Sequence, residues 1–517
     1  MRSTLIAGAL ALAVFAAGLR WGAMVAGGAD SYGYISQAGL WQQGRLVVHQ
    51  DIVRPSPWPD AGETWSPLGY RPSPHQRDAL VPLYPPGLPL LMALAQTVCG
   101  FCGAFLVVPL CGALTVALTF AFGRRVFGGA GVALWGASLV GTSPVFLYQL
   151  MNAMSDVPVT AFCTLALTLA VMRRPLASGL AMSVAIAIRP NLAPLALIIA
   201  AWLWKDAWRF ALGVLPAAVG IMWLNGVLYE SPFVSGYGTA GDLYSLSHLG
   251  TNVRQFATWI GEIETPVVAL AAVYLAAPRL FPPPKMPRAR ALVGGSMAAV
   301  TLSYLFYRPF DAWWYLRFLL PMWPLLMLAT AASVDALVRR LPRAGYAISM
   351  TAIVALLAYR GIQTASRRSV FDLGLGERRY IDVARFVRDH TEPQAVFFSV
   401  QHSGSLRLYA DRLTLKFDVL DPLWLDRAVE FLRSNGRHPY FVLDGGEVGA
   451  FRQRFGSVSR AGSLDWPPLA TLGSVVSIYD PIARASGTPL AVASTHGERS
   501  VLACDRPQSW PPVLRMK

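Results

Sequence analysis

Asp30 lies in the stretch Gly27-Gly28-Ala29-Asp30-Ser31-Tyr32-Gly33-Tyr34, directly after a hydrophobic run, residues 5–26. That run is long enough to cross a bilayer, whose hydrocarbon core takes about 20 residues of helix. Asp30 is therefore expected at the membrane surface, where the first span ends. A carboxylate there can take a proton from a substrate hydroxyl while a lipid-borne reactant waits beside it. The competing structural role is capping of a short helix over 31–42, because Asp before a helical turn satisfies free backbone N–H groups. Other chemical signals are thin. No His/Asp/Glu cluster has metal-ligand spacing, so no metal is expected. Cys99-x-x-Cys102 has redox spacing without a second pair or a histidine, and cysteines in apolar segments usually act as small hydrophobes. Asp444-Gly445-Gly446-Glu447 lacks the dinucleotide glycine pattern and reads as a turn into a helix. Ser399 and His402 are too few for a hydrolase site.

The elements that must position Asp30 are membrane helices. Of the 517 residues, 54% are hydrophobic and 14% charged, against roughly 25% charged in an ordinary soluble protein. Apolar stretches at 5–26, 103–122, 130–149, 157–172, 176–188, 191–204, 210–228, 264–280, 291–307, 318–337 and 344–360 predict about eleven spans in a polytopic α-helical protein. Residues 88–98 are too short to cross and read as a re-entrant or interfacial helix. The first run is too long for a signal-peptide core and ends in no Ala-x-Ala, so it is expected to stay as a span. The formal net charge of +15 does not indicate nucleic-acid binding. Arg124/Arg125, Arg173/Arg174, Lys205/Arg209, the 279–290 cluster and Arg339/Arg340/Arg343 fall in alternate loops on the side of Arg2. The positive-inside rule makes that side the cytoplasm. The opposite, outer face then receives loop 27–102, residues 143–156, Arg189, residues 229–264 and 307–317, and the C-terminus of a chain in the cytoplasmic membrane.

From residue 361 the composition changes. Residues 377–390 read as an amphipathic helix, and 395–400, 413–417, 440–443 and 475–479 as strands alternating with helices at 405–409, 423–434 and 446–455. Such alternation predicts a small extracytoplasmic α/β domain over 361–482 after a transmembrane domain over 1–360. Residues 483–517 show no period and are expected to be an irregular tail.

Six landmarks now stand in order: Asp30; Tyr84-Pro85-Pro86-Gly87-Leu88-Pro89; Gly123-Arg124-Arg125-Val126-Phe127-Gly128; Ser143-Pro144 leading to Ser155-Asp156-Val157-Pro158; Ile188-Arg189-Pro190-Asn191; and Trp314-Tyr315-Leu316-Arg317-Phe318. Together they resemble the GT-C superfamily of integral-membrane glycosyltransferases, in particular the branch of dolichyl-phosphate-mannose protein mannosyltransferases and lipid A sugar transferases. The resemblance spans about residues 1–340. It implies an inverting enzyme that takes a sugar from a polyprenyl-phosphate carrier and passes it to an acceptor hydroxyl on a lipid, glycan or protein. The lipid-linked sugar is the donor substrate and no cofactor is implied. The family's acidic residue in the first outer loop maps onto Asp30 as general base; where many members carry a second acid, this chain has Ser31.

For the carrier phosphate, arginine offers fixed charge and a fork of donors. Arg189 and Arg317 are the best placed, each near the outer face; the alternative is that they snorkel to head groups. Arg71, Arg77, His49 and His75 in the first outer loop either reach a phosphate as well or, the favoured reading, are solvated loop charges. Asp156 is expected either to cap the helix it opens, two residues before Pro158, or to contact substrate. Tyr84 either fixes a tight chain entry or lines the cavity. Tyr34 is a further binding candidate, and Trp314, with Trp313 and Tyr315, either stacks on a sugar or belongs to an interfacial aromatic belt. Asp311 is a weaker second acid. Two other classes compete: a lipid or small-molecule transporter or flippase, suggested by the break at Arg189-Pro190, and an inactive envelope scaffold.

Overall fold

The computed structural model describes residues 2–473, 475–484 and 489–492, with Cys504, Asp505 and Pro507. Every one of the eleven apolar stretches contains helix. Among the described residues, five helical segments are long and apolar enough on their own to cross a membrane: Arg2–Trp21, Gly103–Phe127, Pro190–Leu228, Trp313–Val338 and Ala344–Arg367. Helices Ala130–Thr142 and Pro144–Leu150 pass that test as a pair bent by 58°. Asp156–Val171, Pro175–Ile188 and Pro266–Ala276 are shorter apolar helices. The bend has a local cause. Ser143 caps the second helix by accepting from the Phe146 N–H, with Pro144 at its first position. Ser143 also donates to Glu264 Oε1 at 2.5 Å, and Trp323 Nε1 donates to the same oxygen at 3.1 Å. A buried carboxylate needs such donors.

Loop 27–102 folds into a cap. Helix Asp30–Gln42 leads to a three-stranded antiparallel sheet in the order β1 (Val48–His49), β3 (Ala79–Pro82), β2 (Tyr70–Pro72). The sequence reading assigned no sheet here, because strands of two to four residues are too short to carry an alternation. Helix Gly87–Cys99 then follows, where a short helix is expected.

Beyond the helix Arg343–Arg367, which runs past Gly361, the chain forms a six-stranded sheet. Its order is β5 (Leu413–Leu415), β4 (Val396–Phe398), β6 (Pro439–Leu443), β8 (Val476–Tyr479), β7 (Ala470–Leu472), β9 (Leu490–Val492). β4 pairs in parallel with β5 and β6, β8 lies antiparallel to both β6 and β7, and β9 runs parallel to β7. The helix–strand alternation is as read, including the turn of Asp444–Gly446 into helix Glu447–Phe455. Strands β7 and β9 are additions to it.

This unit, the outer unit of the sequence-based expectation, sits on the cap. Arg407 Nη2 donates to the Trp65 carbonyl at 2.6 Å, the Lys416 N–H to Thr64 O at 2.7 Å and the Leu68 N–H to Ser403 Oγ at 3.1 Å. Most of residues 483–517 lies outside the described residues. Among the described residues of that stretch, β9 pairs with β7, Asp505 pairs with Arg385, and Cys504 forms a disulfide with Cys102 across 402 residues of sequence. Cys102 is therefore a bridge and not the small hydrophobe its neighbourhood suggests. Cys111 and Cys163 are buried free thiols and Cys99 is exposed.

Candidate active site

Asp30 opens its helix but does not cap it, since the residue at the cap position is Ala29, with no side-chain hydrogen bond. Its oxygens are used elsewhere. Tyr84 donates its hydroxyl to Oδ1 at 2.6 Å, and Arg317 Nη1 donates to Oδ2 at 3.0 Å. Tyr84 is aimed there by the chain entry that follows it. A Cβ on Gly87 would lie 2.4 Å from the backbone of Ala187 and Ile188, so only glycine lets this turn lie on the end of the helix that precedes Arg189.

Arg189 is extended (φ −147°, ψ 90°) in the break between helix Pro175–Ile188 and the short turn Pro190–Leu192. It does not snorkel. Its Nη2 bonds Asp156 Oδ1 at 2.6 Å and Ser155 Oγ at 3.0 Å. Asp156 is 1% exposed and caps nothing; its carboxylate backs Arg189. Phe318 lies between the two arginines, with guanidinium carbons 5.8 Å (Arg189) and 5.4 Å (Arg317) from its ring centre. Two carboxylates and two guanidiniums thus meet as matched ion pairs, and an aromatic ring spaces the cations.

All of these groups except Asp156 wall one cavity of about 500 Å³. Asp30, Tyr34, Tyr84, Arg189 and Arg317 all line it, and the rings of Tyr34 and Tyr84 lie 4.5 Å apart. Tyr237, Tyr307 and Tyr315 add further phenols. The cavity adjoins an apolar groove of about 430 Å³ that shares Tyr84, Tyr237 and Pro190 and continues past Leu224, Leu228 and Phe233.

Other candidates fall outside. Trp314 does not line the cavity and stacks on Tyr148, with centroids 5.9 Å apart and planes at 7°. Asp311 is exposed and also absent from the wall. Arg71 bonds the Gly236 carbonyl and His75 the Tyr229 carbonyl, while His49 and Arg77 line a separate surface depression. Among the described residues no group of three His, Cys, Asp or Glu is placed to hold a metal ion.

No protein-family model matches the chain, and no curated protein sequence does. Solved structures do. ArnT from Cupriavidus metallidurans bound to undecaprenyl phosphate superposes with a TM-score of 0.58 at 15% identity, over 94% of this chain and 99% of that one. The Archaeoglobus fulgidus oligosaccharyltransferase tethered to an acceptor peptide superposes with a TM-score of 0.51 at 12% identity, over 90% of this chain and 72% of that one. Both have the architecture of the GT-C superfamily. This chain has the GT-C fold.

Within this fold the outer unit also reaches the cavity, which sequence reasoning missed. Glu377 and Tyr380 line it. A Cβ on Gly27 would come within 2.2 Å of the Tyr380 ring and 2.7 Å of Glu377 Oε2, so the glycine before Asp30 makes room for them. Glu377 meets Arg379 Nη1 at 3.5 Å, and Arg379 Nε donates to Asp444 at 3.1 Å. Burial pushes the Glu377 carboxyl above its usual range, against the pull of Arg379. The amphipathic pattern of 377–390 was legible; its contact with Gly27, 350 residues earlier, left no local signal.

Proposed function

We propose that the chain is a glycosyltransferase that moves a sugar from a polyprenyl-phosphate carrier to an acceptor hydroxyl at the outer face of the cytoplasmic membrane, with Asp30 as general base. The GT-C fold supports the class. The observation that carries the reading is the Asp30–Arg317 ion pair, 3.0 Å long, at the wall of the cavity.

A donor phosphate entering beside Arg317 competes with Asp30 for the guanidinium. That competition frees a carboxylate oxygen for the acceptor hydroxyl. The acceptor oxygen then attacks the anomeric carbon while its proton passes to Asp30. The bond between that carbon and the carrier phosphate breaks, its electron pair leaves with the phosphate, and Arg317 meets the new charge as it forms. One base and one direct displacement give inversion at the anomeric carbon. Arg189 adds a second cation, fixed in direction by Asp156. The apolar groove beside the cavity suits the prenyl chain of such a donor, because it offers hydrocarbon contact next to the arginines.

The Cys102–Cys504 disulfide supports the outer location of loop 27–102 and the C-terminal unit, since such bonds persist in oxidising compartments. The acceptor chemistry belongs to the part of the cavity walled by Glu377 and Tyr380. The test is release of label from a radiolabelled polyprenyl-phosphate sugar by purified protein in lipid, with envelope extract as acceptor source. Wild type releases label, whereas Asp30→Asn and Asp30→Ala insert in the membrane normally and do not. Full transfer by Asp30→Asn overturns the role given to Asp30.

A further inference from the structure

A second groove, of about 570 Å³, shares no lining residue with the cavity. It lies in the seam between the cap and the outer unit, at the starts of the parallel strands β4, β5 and β6. From the cap come Gln50, Asp51 and Ile52; from the outer unit come Gln394, Asp411, Leu413, Phe431, Asn435 and Arg437.

The unusual member is Gln50. It is 1% exposed, its backbone N–H is bonded to Asp78 O at 2.7 Å, and neither its amide oxygen nor its amide nitrogen has a partner among the described residues. A buried amide without partners has given up its bonds to water for nothing in return, so such a group calls for an explanation. Gln37 and Gln96 also carry unpartnered buried amide atoms, but neither lines a described cavity. Gln50 does. Around it the side chains of Asp51, Gln394 and Arg437 make no hydrogen bond or ion pair to described residues, while Phe431, held edge-on against Trp58 at 5.5 Å, and Leu413 give an apolar floor.

We infer that this groove is a saccharide-binding site distinct from the catalytic cavity. A sugar ring presents what these residues lack. Its adjacent hydroxyls donate and accept at once, as one amide and a carboxylate require, and its C–H face covers an aromatic ring. Two carboxylates against one guanidinium disfavour an anion, and the guanidinium disfavours a cation; the occupant is a neutral glycan segment. The inference does not depend on the reaction proposed for Asp30.

The experiment uses full-length protein in lipid nanodiscs on a printed array of neutral and anionic bacterial oligosaccharides. The strongest binder is then measured by saturation-transfer NMR. The expected result is a neutral saccharide whose binding weakens about tenfold or more, the scale of losing buried hydrogen bonds, in Gln50→Leu, Asn435→Ala and Arg437→Ala. Asn435 is exposed and Arg437 partly so, so those two variants keep the test valid if Gln50→Leu fails to fold. Asp30→Asn should bind it as wild type does. No binder on the array, binding unchanged in Asn435→Ala and Arg437→Ala, loss in Asp30→Asn, or capture of peptides alone each overturns the site.

Discussion

Asp30 is a carboxylate with both oxygens occupied, one by a phenol and one by a guanidinium. Four substitutions at three residues separate these contacts. Asp30→Asn keeps the shape and removes the proposed base, so transfer should fall by about 10²–10⁴, the usual range for general-base catalysis. Arg317→Ala should also lose transfer. Arg317→Lys should restore little of it, because a point charge cannot bond Asp30 and a phosphate with a planar fork. Tyr84→Phe removes a single hydrogen bond, and the expected loss is about tenfold. All four are read as initial rates of label release at fixed donor. A Tyr84→Phe variant as inactive as Asp30→Asn would make the phenol a proton carrier instead of an orienting group.

At the scale of elements, the cavity depends on close backbone approach at the Tyr84–Gly87 turn. Gly87→Ala inserts a methyl group 2.4 Å from backbone atoms. Overpacking of this kind costs about 1–3 kcal/mol, so thermal melting in detergent should drop and transfer with it. The strand ends of the outer unit carry a pH-dependent element of their own. Glu447 accepts from the Gln401 and Asp444 N–H groups, each at 2.8 Å, yet burial pushes its carboxyl up to about 7 from 4.5. Asp444, although burial opposes it, is held well below the carboxylate range by His402 and Arg379. An acid raised in the folded state favours folding most below its unfolded value and loses that contribution as pH rises through the folded one. Hydrogen-exchange protection around Gln401 and Asp444 should therefore fall between pH 5 and 8, and Glu447→Gln should flatten the change. A profile identical in the two proteins would remove Glu447 as the cause.

At the scale of the molecule, the bridge between Cys102 and Cys504 fastens the far end of the chain to the start of a membrane helix. Mass spectrometry of a non-reducing digest of protein from native membranes should recover a peptide joining the two cysteines, with Cys99 free to alkylate. Finding both thiols reduced would argue against an oxidising outer compartment for this face. Cap, bundle and outer unit each lend residues to the cavity, so removal of the outer unit should cost transfer and not only stability.

The sequence by itself determined the helical membrane class, the α/β unit and five of the cavity's residues. Apolar block length and the side chemistry of Asp30, Tyr34, Tyr84, Arg189 and Arg317 are local properties, readable without neighbours. Asp156 and Trp314 show the limit: their types suited a site, but one is spent on Arg189 and the other on Tyr148. Only the tertiary structure decided those pairings, the seating of Glu377 against Gly27 and the joining of Cys102 to Cys504. Each is a contact between segments distant in the chain, and packing across such distances is set by the shape of the whole assembly, which no short window of residues records.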